Sequence, residues 1–142
     1  MKKENMRFGT LIKALRTEHE VTLKTMSEVL GISRSMLSDI EQNRRKPFDS
    51  EKIGKFASYF SLSEKDRAIL YDAAAKEKGT VPYDLDDIMM HSEVGDLARQ
   101  ALRLTNDGAG DEADWKKFIR QLEANKQKRS SSGRISLFEK SP

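Results

Sequence analysis

The 142-residue chain contains no cysteine. Disulfides, thiolate zinc sites and cysteine nucleophiles are therefore excluded, and the composition fits a cytoplasmic location. No apolar run approaches the roughly 18 residues that a membrane span needs. The opening stretch MKKENMRFGTLIKAL has no continuous apolar segment, so no signal peptide is expected. Only two histidines occur, His19 and His91, far apart in sequence, so a metal site is not expected. No GxxxxGK[ST] phosphate loop and no GxSxG nucleophile context is present. The tetrapeptide DEAD at 111–114 has no helicase core around it. Acids in the first turn of a helix explain it better, as helix capping explains Asp84, Asp86 and Asp87. No enzyme activity and no cofactor are expected.

A strong excess of one charge is also lacking. Lys and Arg number 26 against 23 Asp and Glu, a formal net charge of +3. The placement of charge therefore matters more than its sum. Period-2 alternation and internal repeats are missing too, which leaves an all-α fold.

What is present is a succession of amphipathic helices. Phe8, Leu11, Ile12 and Leu15 fall at helical spacing in about 5–19. Thr22 is a suitable N-cap for a second helix with Leu23, Met26, Val29 and Leu30. Gly31 ends it, because glycine adopts the left-handed conformation freely. Ser33 caps a third helix running to about Gln42, with Met36, Leu37 and Ile40 inward. Pro47 breaks the chain. Asp49 or Ser50 caps a fourth helix bearing Ile53, Phe56, Ala57 and Phe60. Ser63 with Asp66 resembles a capping box opening a fifth, with Ile69, Leu70, Ala73 and Ala74. The spacing predicts three shorter helices near 84–90, 92–104 and 111–124 in an acidic region. Domain boundaries are expected at 1–79, 80–124 and 125–142. The last segment is basic, Ser-rich and patternless, and disorder is expected there.

Two short capped helices joined by a glycine turn form a helix-turn-helix pattern. At about 100° per residue, Met36, Leu37 and Ile40 occupy a narrow arc, while Arg34, Ser35, Ser38, Asp39 and Gln42 share the opposite face. Short hydroxyl side chains let a helix axis approach base edges in a major groove. Arg can pair with guanine, Gln with adenine, and Asp with cytosine N4. Asp39 could instead repel phosphates and reject wrong registers. Arg44, Arg45 and Lys46 follow in a loop where they can meet a phosphate strand. Taken singly, a polar face or a run of cations is most often only solvated; their order and spacing here give them meaning.

Residues about 7–77 resemble the lambda-repressor-like, Cro-like helix-turn-helix family. The resemblance is carried by Leu15–Arg16, Thr22, Glu28, Leu30–Gly31, Ile32 to Ser35, Leu37–Ser38, Ile40–Glu41 and Arg44 to Pro47. It implies a five-helix DNA-binding domain. It also implies base contacts by Arg34, Ser35 and Asp39, with Ser38 and Gln42 on the same face. Phosphate contacts are implied at or around Thr22, Lys24, Ser33, Asn43, Arg44, Arg45 and Lys46, and a buried ion pair between Arg16 and Glu41. Leu23 stands where the family usually has Gln, Ser27 where it has Ala, and Asn43 where Gly is frequent. Family members generally bind palindromic double-stranded DNA as dimers, with half-sites about 34 Å apart.

The functional expectation is a transcriptional regulator, a repressor of prokaryotic or phage type, acting as a homodimer on a palindromic operator. A second possibility is an antitoxin or stress-module regulator that binds its own promoter and holds a toxin or protease through 84–124. A third is a protein-interaction adaptor without DNA binding. The apolar stripe Trp115, Phe118, Ile119 and Leu122 fits either packing on the neighbouring helices or dimerisation.

Overall fold

The computed structural model describes the backbone of residues 3–140 and the side chains of 3–130. Among the described residues there is no strand. A short 3-10 turn at Lys3–Asn5 precedes α1 (Phe8–Glu18), α2 (Leu23–Leu30), α3 (Arg34–Glu41), α4 (Ser50–Tyr59), α5 (Glu64–Lys78), α6 (Tyr83–His91), α7 (Gly95–Asn106) and α8 (Glu112–Lys140). They form two compact units, Met1–Ser92 and Glu93–Pro142. The first thus includes α6, part of the acidic segment that composition sets apart from residue 80 onward, because α6 packs on α5.

Local chemistry sets the helix ends of the first unit. The Thr22 hydroxyl accepts from Thr25 N, Ser33 from Met36 N, Asp49 from Lys52 N and Ser63 from Asp66 N. Each satisfies one donor that a helix start leaves without an intrahelical partner. Of the two residues that could cap α4, the structure uses Asp49. Gly31 (φ 70°) closes α2 in the left-handed region.

Helix α1 begins differently. Its N-cap residue, Arg7, makes no side-chain cap. Its first two amides are taken by side chains remote in sequence: Phe8 N donates to Glu77 Oε2 at 2.8 Å, and Gly9 N to Asn43 Oδ1 at 3.1 Å. A carboxylate from the end of α5 thus sits against the positive end of the α1 dipole.

The core of this unit is one cluster. Phe8, Leu11, Ile12 and Leu15 of α1 meet Met26 and Leu30 of α2, Leu37 and Ile40 of α3, Ile53 and Phe56 of α4, and Ile69 and Leu70 of α5. Phe48, just after Pro47, is buried edge-on to Phe8, their centroids 5.0 Å apart. At Gly9, α1 and the end of α3 come so close that a Cβ would lie 2.0 Å from the Ile40 carbonyl oxygen.

The second unit is a pair of helices, α7 and α8. Asp111 and Asp114 exchange backbone-to-side-chain hydrogen bonds of 3.0 Å at the head of α8, a reciprocal cap. Helix continues past Ala124 over 125–130, the start of the segment expected to lack structure. That stretch, NKQKRS, has no glycine or proline to stop it and contains good helix formers. The backbone stays helical to Lys140, and the last two residues of that segment lie outside the described residues.

Candidate nucleic-acid interface

The turn between α2 and α3 is fixed by its backbone. Gly31 N donates to Glu28 O at 3.2 Å and Ile32 N to Ser27 O at 3.0 Å. Ile32 packs against the core cluster, locking the entry to α3. Ser27 is buried at the α2 side of this junction, and its hydroxyl donates to Lys24 O at 2.7 Å, so no polar group is stranded there. Leu23 packs against the core with its neighbours.

Helix α3 divides sharply around its circumference. Leu37 and Ile40 are essentially inaccessible. Glu41 is buried and paired with Arg16 of α1: Nε donates to Oε2 at 2.7 Å and Nη2 to Oε1 at 2.9 Å. Arg16 Nη1 also donates to Val21 O at 2.8 Å. This fork-on-fork geometry is the strong form of the charged hydrogen bond. The hydrogen bond to Glu41 raises the Arg16 pKa, against the opposing effect of burial.

On the opposite side, Arg34, Ser35 and Gln42 are exposed, and Ser38 and Asp39 are half-exposed. They form one continuous polar face. Gln42 Nε2 donates to Ser38 Oγ at 3.3 Å, and Arg44 donates to Gln42 Oε1. Arg44 Nη1 also lies 3.8 Å from Asp39 Oδ1. Asp39, Arg44, Gln42 and Ser38 are thus one surface chain, in which an arginine from the loop neutralises the acid on the helix. Arg45 and Lys46 are exposed beside it, ahead of buried Pro47 and Phe48.

Thr22 and Lys24 are exposed at the start of α2, and Ser33 at the start of α3, with Thr22 and Ser33 already serving as caps. Asn43 is placed differently from its neighbours. It is half-buried with φ 61°, and its amide is spent within the protein, accepting from Gly9 N and donating to Thr10 Oγ1 at 3.1 Å. The residue supports the junction of α1 and α3. Sequence reasoning misses this role, and that of Glu77, because the partners are 33 to 69 residues apart.

Residues 12–66 match the family model described as Helix-turn-helix. This part of the chain is a lambda-repressor-like, Cro-like helix-turn-helix domain. Nothing among the curated proteins or the solved structures matches the chain. The helix-turn-helix makes the chain a DNA-binding transcriptional regulator in general terms. Among the described residues, no group of three or more His, Asp or Glu is placed to hold a metal ion, and no helix is long and apolar enough to cross a membrane.

Proposed function

We propose that the protein is a sequence-specific repressor that works in the cytoplasm as a homodimer on a palindromic operator. One observation carries the reading: the polar face of α3 is continuous with the exposed cations that follow it. Arg34, Ser35, Ser38, Asp39 and Gln42 read base edges in the major groove, where short side chains permit close approach. Arg44, Arg45 and Lys46 grip one phosphate strand. Thr22, Lys24 and Ser33 lie at helix N-termini, whose amides and partial positive charge suit phosphate oxygens. Asn43 contributes by holding the loop rather than by reaching the DNA.

Selection of bound duplexes from a random pool with the full chain tests this. The expected result is an inverted repeat whose half-site centres lie about 34 Å, one helical turn, apart. Placed across a promoter, that sequence should lower transcription of a reporter when the protein is supplied. A pool with no enrichment, together with binding that does not weaken as salt rises, would leave only the adaptor reading.

A further inference from the structure

Beyond residue 83 the charges are sorted by position. From 84 to 114 the chain carries nine Asp and Glu against Arg99 and Arg103. From 115 to 130 it carries six Lys and Arg against one acid, Glu123. A surface that is merely solvated normally interleaves the two signs. Because α8 runs on through 125–130, these cations fall into register on one helix. At about 100° per residue, Lys117, Arg120 and Lys128 share an arc of about 80°. All three are exposed, and none is paired with a described residue. Lys116 lies at the rim of the arc and is held by Glu112 at 2.9 Å. Glu112, Asp114 and Glu123 fall outside the arc. Between Lys117 and Lys128 its only other members are Arg120 itself and the small Ala124.

The other side of α8 is turned to α7. Trp115, Phe118, Ile119 and Leu122 lie about 180° from the cationic arc. Trp115 Nε1 donates to Thr105 Oγ1 of α7 at 2.8 Å, and its ring meets Phe118 edge-on. The cations therefore point away from α7. A helix lying on a lipid surface buries its apolar stripe, and cations beside the stripe snorkel to the headgroups. Here stripe and cations look in opposite directions. A protein partner is met through aromatic and apolar anchors with few lysines. The arc holds nothing apolar larger than Ala124. Separated, unpaired cations on a straight helix suit a line of phosphates. Lys117 and Lys128 are about 16 Å apart along the axis, the rise of about five nucleotides of one strand. Two of the three residues are Lys, a point charge without a base-reading fork, so the contacts fall on the backbone and not on base edges.

We infer that Lys117, Arg120 and Lys128 of α8 form a second, sequence-independent contact with the phosphate backbone of duplex DNA, separate from α3 and its loop. The inference rests on the reading of the protein as one that works on duplex DNA, and adds a surface outside the helix-turn-helix. Both contacts belong to one chain, so a duplex held by one meets the other at raised effective concentration. The helix-turn-helix chooses the sequence, and α8 adds affinity that salt erodes.

Equilibrium binding of the full chain at several salt concentrations tests it, with one duplex of random sequence and one carrying the selected operator. Lys117→Gln, Arg120→Gln and Lys128→Gln are combined in one variant. Gln forms helix about as well as the residues it replaces, so α8 is kept. The variant should flatten the slope of log affinity against log salt by about two to three units. At low salt it should bind both duplexes about tenfold or more weakly, with the operator-to-random ratio unchanged. Lys117→Arg with Lys128→Arg, which keeps both charges, should retain the parent slope. Flotation with vesicles of phosphatidylcholine and phosphatidylserine probes the lipid alternative. An unchanged slope in the triple variant would overturn the inference. So would a triple variant that loses vesicle binding but not duplex binding, or an altered operator-to-random ratio, which would make these residues base readers. Operator preference with an unchanged slope removes this inference alone. A flattened slope on a chain that prefers no sequence removes the operator reading alone.

Discussion

Arg16 and Glu41 face each other with two hydrogen bonds of 2.7 and 2.9 Å, both side chains largely removed from water. The pair fastens the last turn of α3 to α1. Losing one partner leaves the other charge buried, so Glu41→Ala should cost about 3–5 kcal/mol. Replacing both, as Arg16→Met with Glu41→Leu, should recover most of that loss. Urea unfolding of the two variants beside the parent checks both numbers.

Gly9 is fixed by contact rather than by backbone angle. A Cβ there would meet the Ile40 carbonyl oxygen at 2.0 Å and the Glu41 carbonyl oxygen at 3.0 Å, both backbone atoms. Gly9→Ala should therefore push α1 and α3 apart and cost about 3 kcal/mol, despite the better helix propensity of alanine. Thermal unfolding reads the loss. A neutral result would mean that the two helices can separate freely.

Asp49 gives a pH dependence with a definite sign. The Lys52 amide donates to its carboxylate and holds the pKa below the ordinary aspartate value, and the neighbouring Lys52 ammonium pulls the same way. A lowered folded pKa means stabilisation that is present above the unfolded pKa and lost as pH falls through the folded one. Asp49→Ala should cost about 1 kcal/mol at neutral pH, and the difference should shrink below about pH 4. Asp49→Asn, which keeps an acceptor at every pH, should show no such fading.

Arg34 and Arg45 should differ in kind. If Arg34 pairs with a base, Arg34→Ala costs about 1–3 kcal/mol of operator affinity and relaxes one base position. Arg45→Ala should weaken all duplexes alike and flatten the salt slope by about one unit. Titrations against operator and scrambled duplex at several salt concentrations separate the two. Unchanged sequence preference in Arg34→Ala would mean that the wrong face of α3 has been assigned to the groove.

Asp39 should act on discrimination. Its charge lies close to Arg44, and a phosphate strand would compete for that arginine. Asp39→Asn should raise affinity for scrambled duplex about threefold while lowering the operator-to-scrambled ratio, since each misread base pair costs about 1–3 kcal/mol. A ratio left unchanged would reduce Asp39 to a surface charge.

Local features made much of the first unit legible. Thr22, Ser33 and Ser63 cap where their sequence context says, because an N-cap is decided within four residues. Gly31 and the inward Leu37 and Ile40 follow from short-range spacing in the same way, with Met36 of that set half-buried against the core; burial of Glu41 follows from the family resemblance. The head of α1 did not follow. Its amides are filled by Glu77 and Asn43, and only the folded chain brings those residues there. Phe48 was equally hidden, since one aromatic after a proline carries no periodicity, yet it is buried against Phe8 and Phe56. The link of Arg44 to Asp39 and Gln42 joins a loop to a helix face, and a wheel drawn for the helix alone omits it. The continuation of α8 past Ala124 was masked by the serines ahead, although 125–128 favour helix by propensity.

The division of α3 has a consequence for engineering. Its anchoring to the scaffold is concentrated in Leu37, Ile40 and Glu41, with Ser33 as the cap. Arg34, Ser35 and Asp39 are not part of the buried cluster. Exchanging those three side chains as a block leaves every buried contact of the helix in place. Six of the eight residues thus separate into a fixed mount and an interchangeable cassette, and a library built on the cassette could vary target preference while every member keeps the same folded frame.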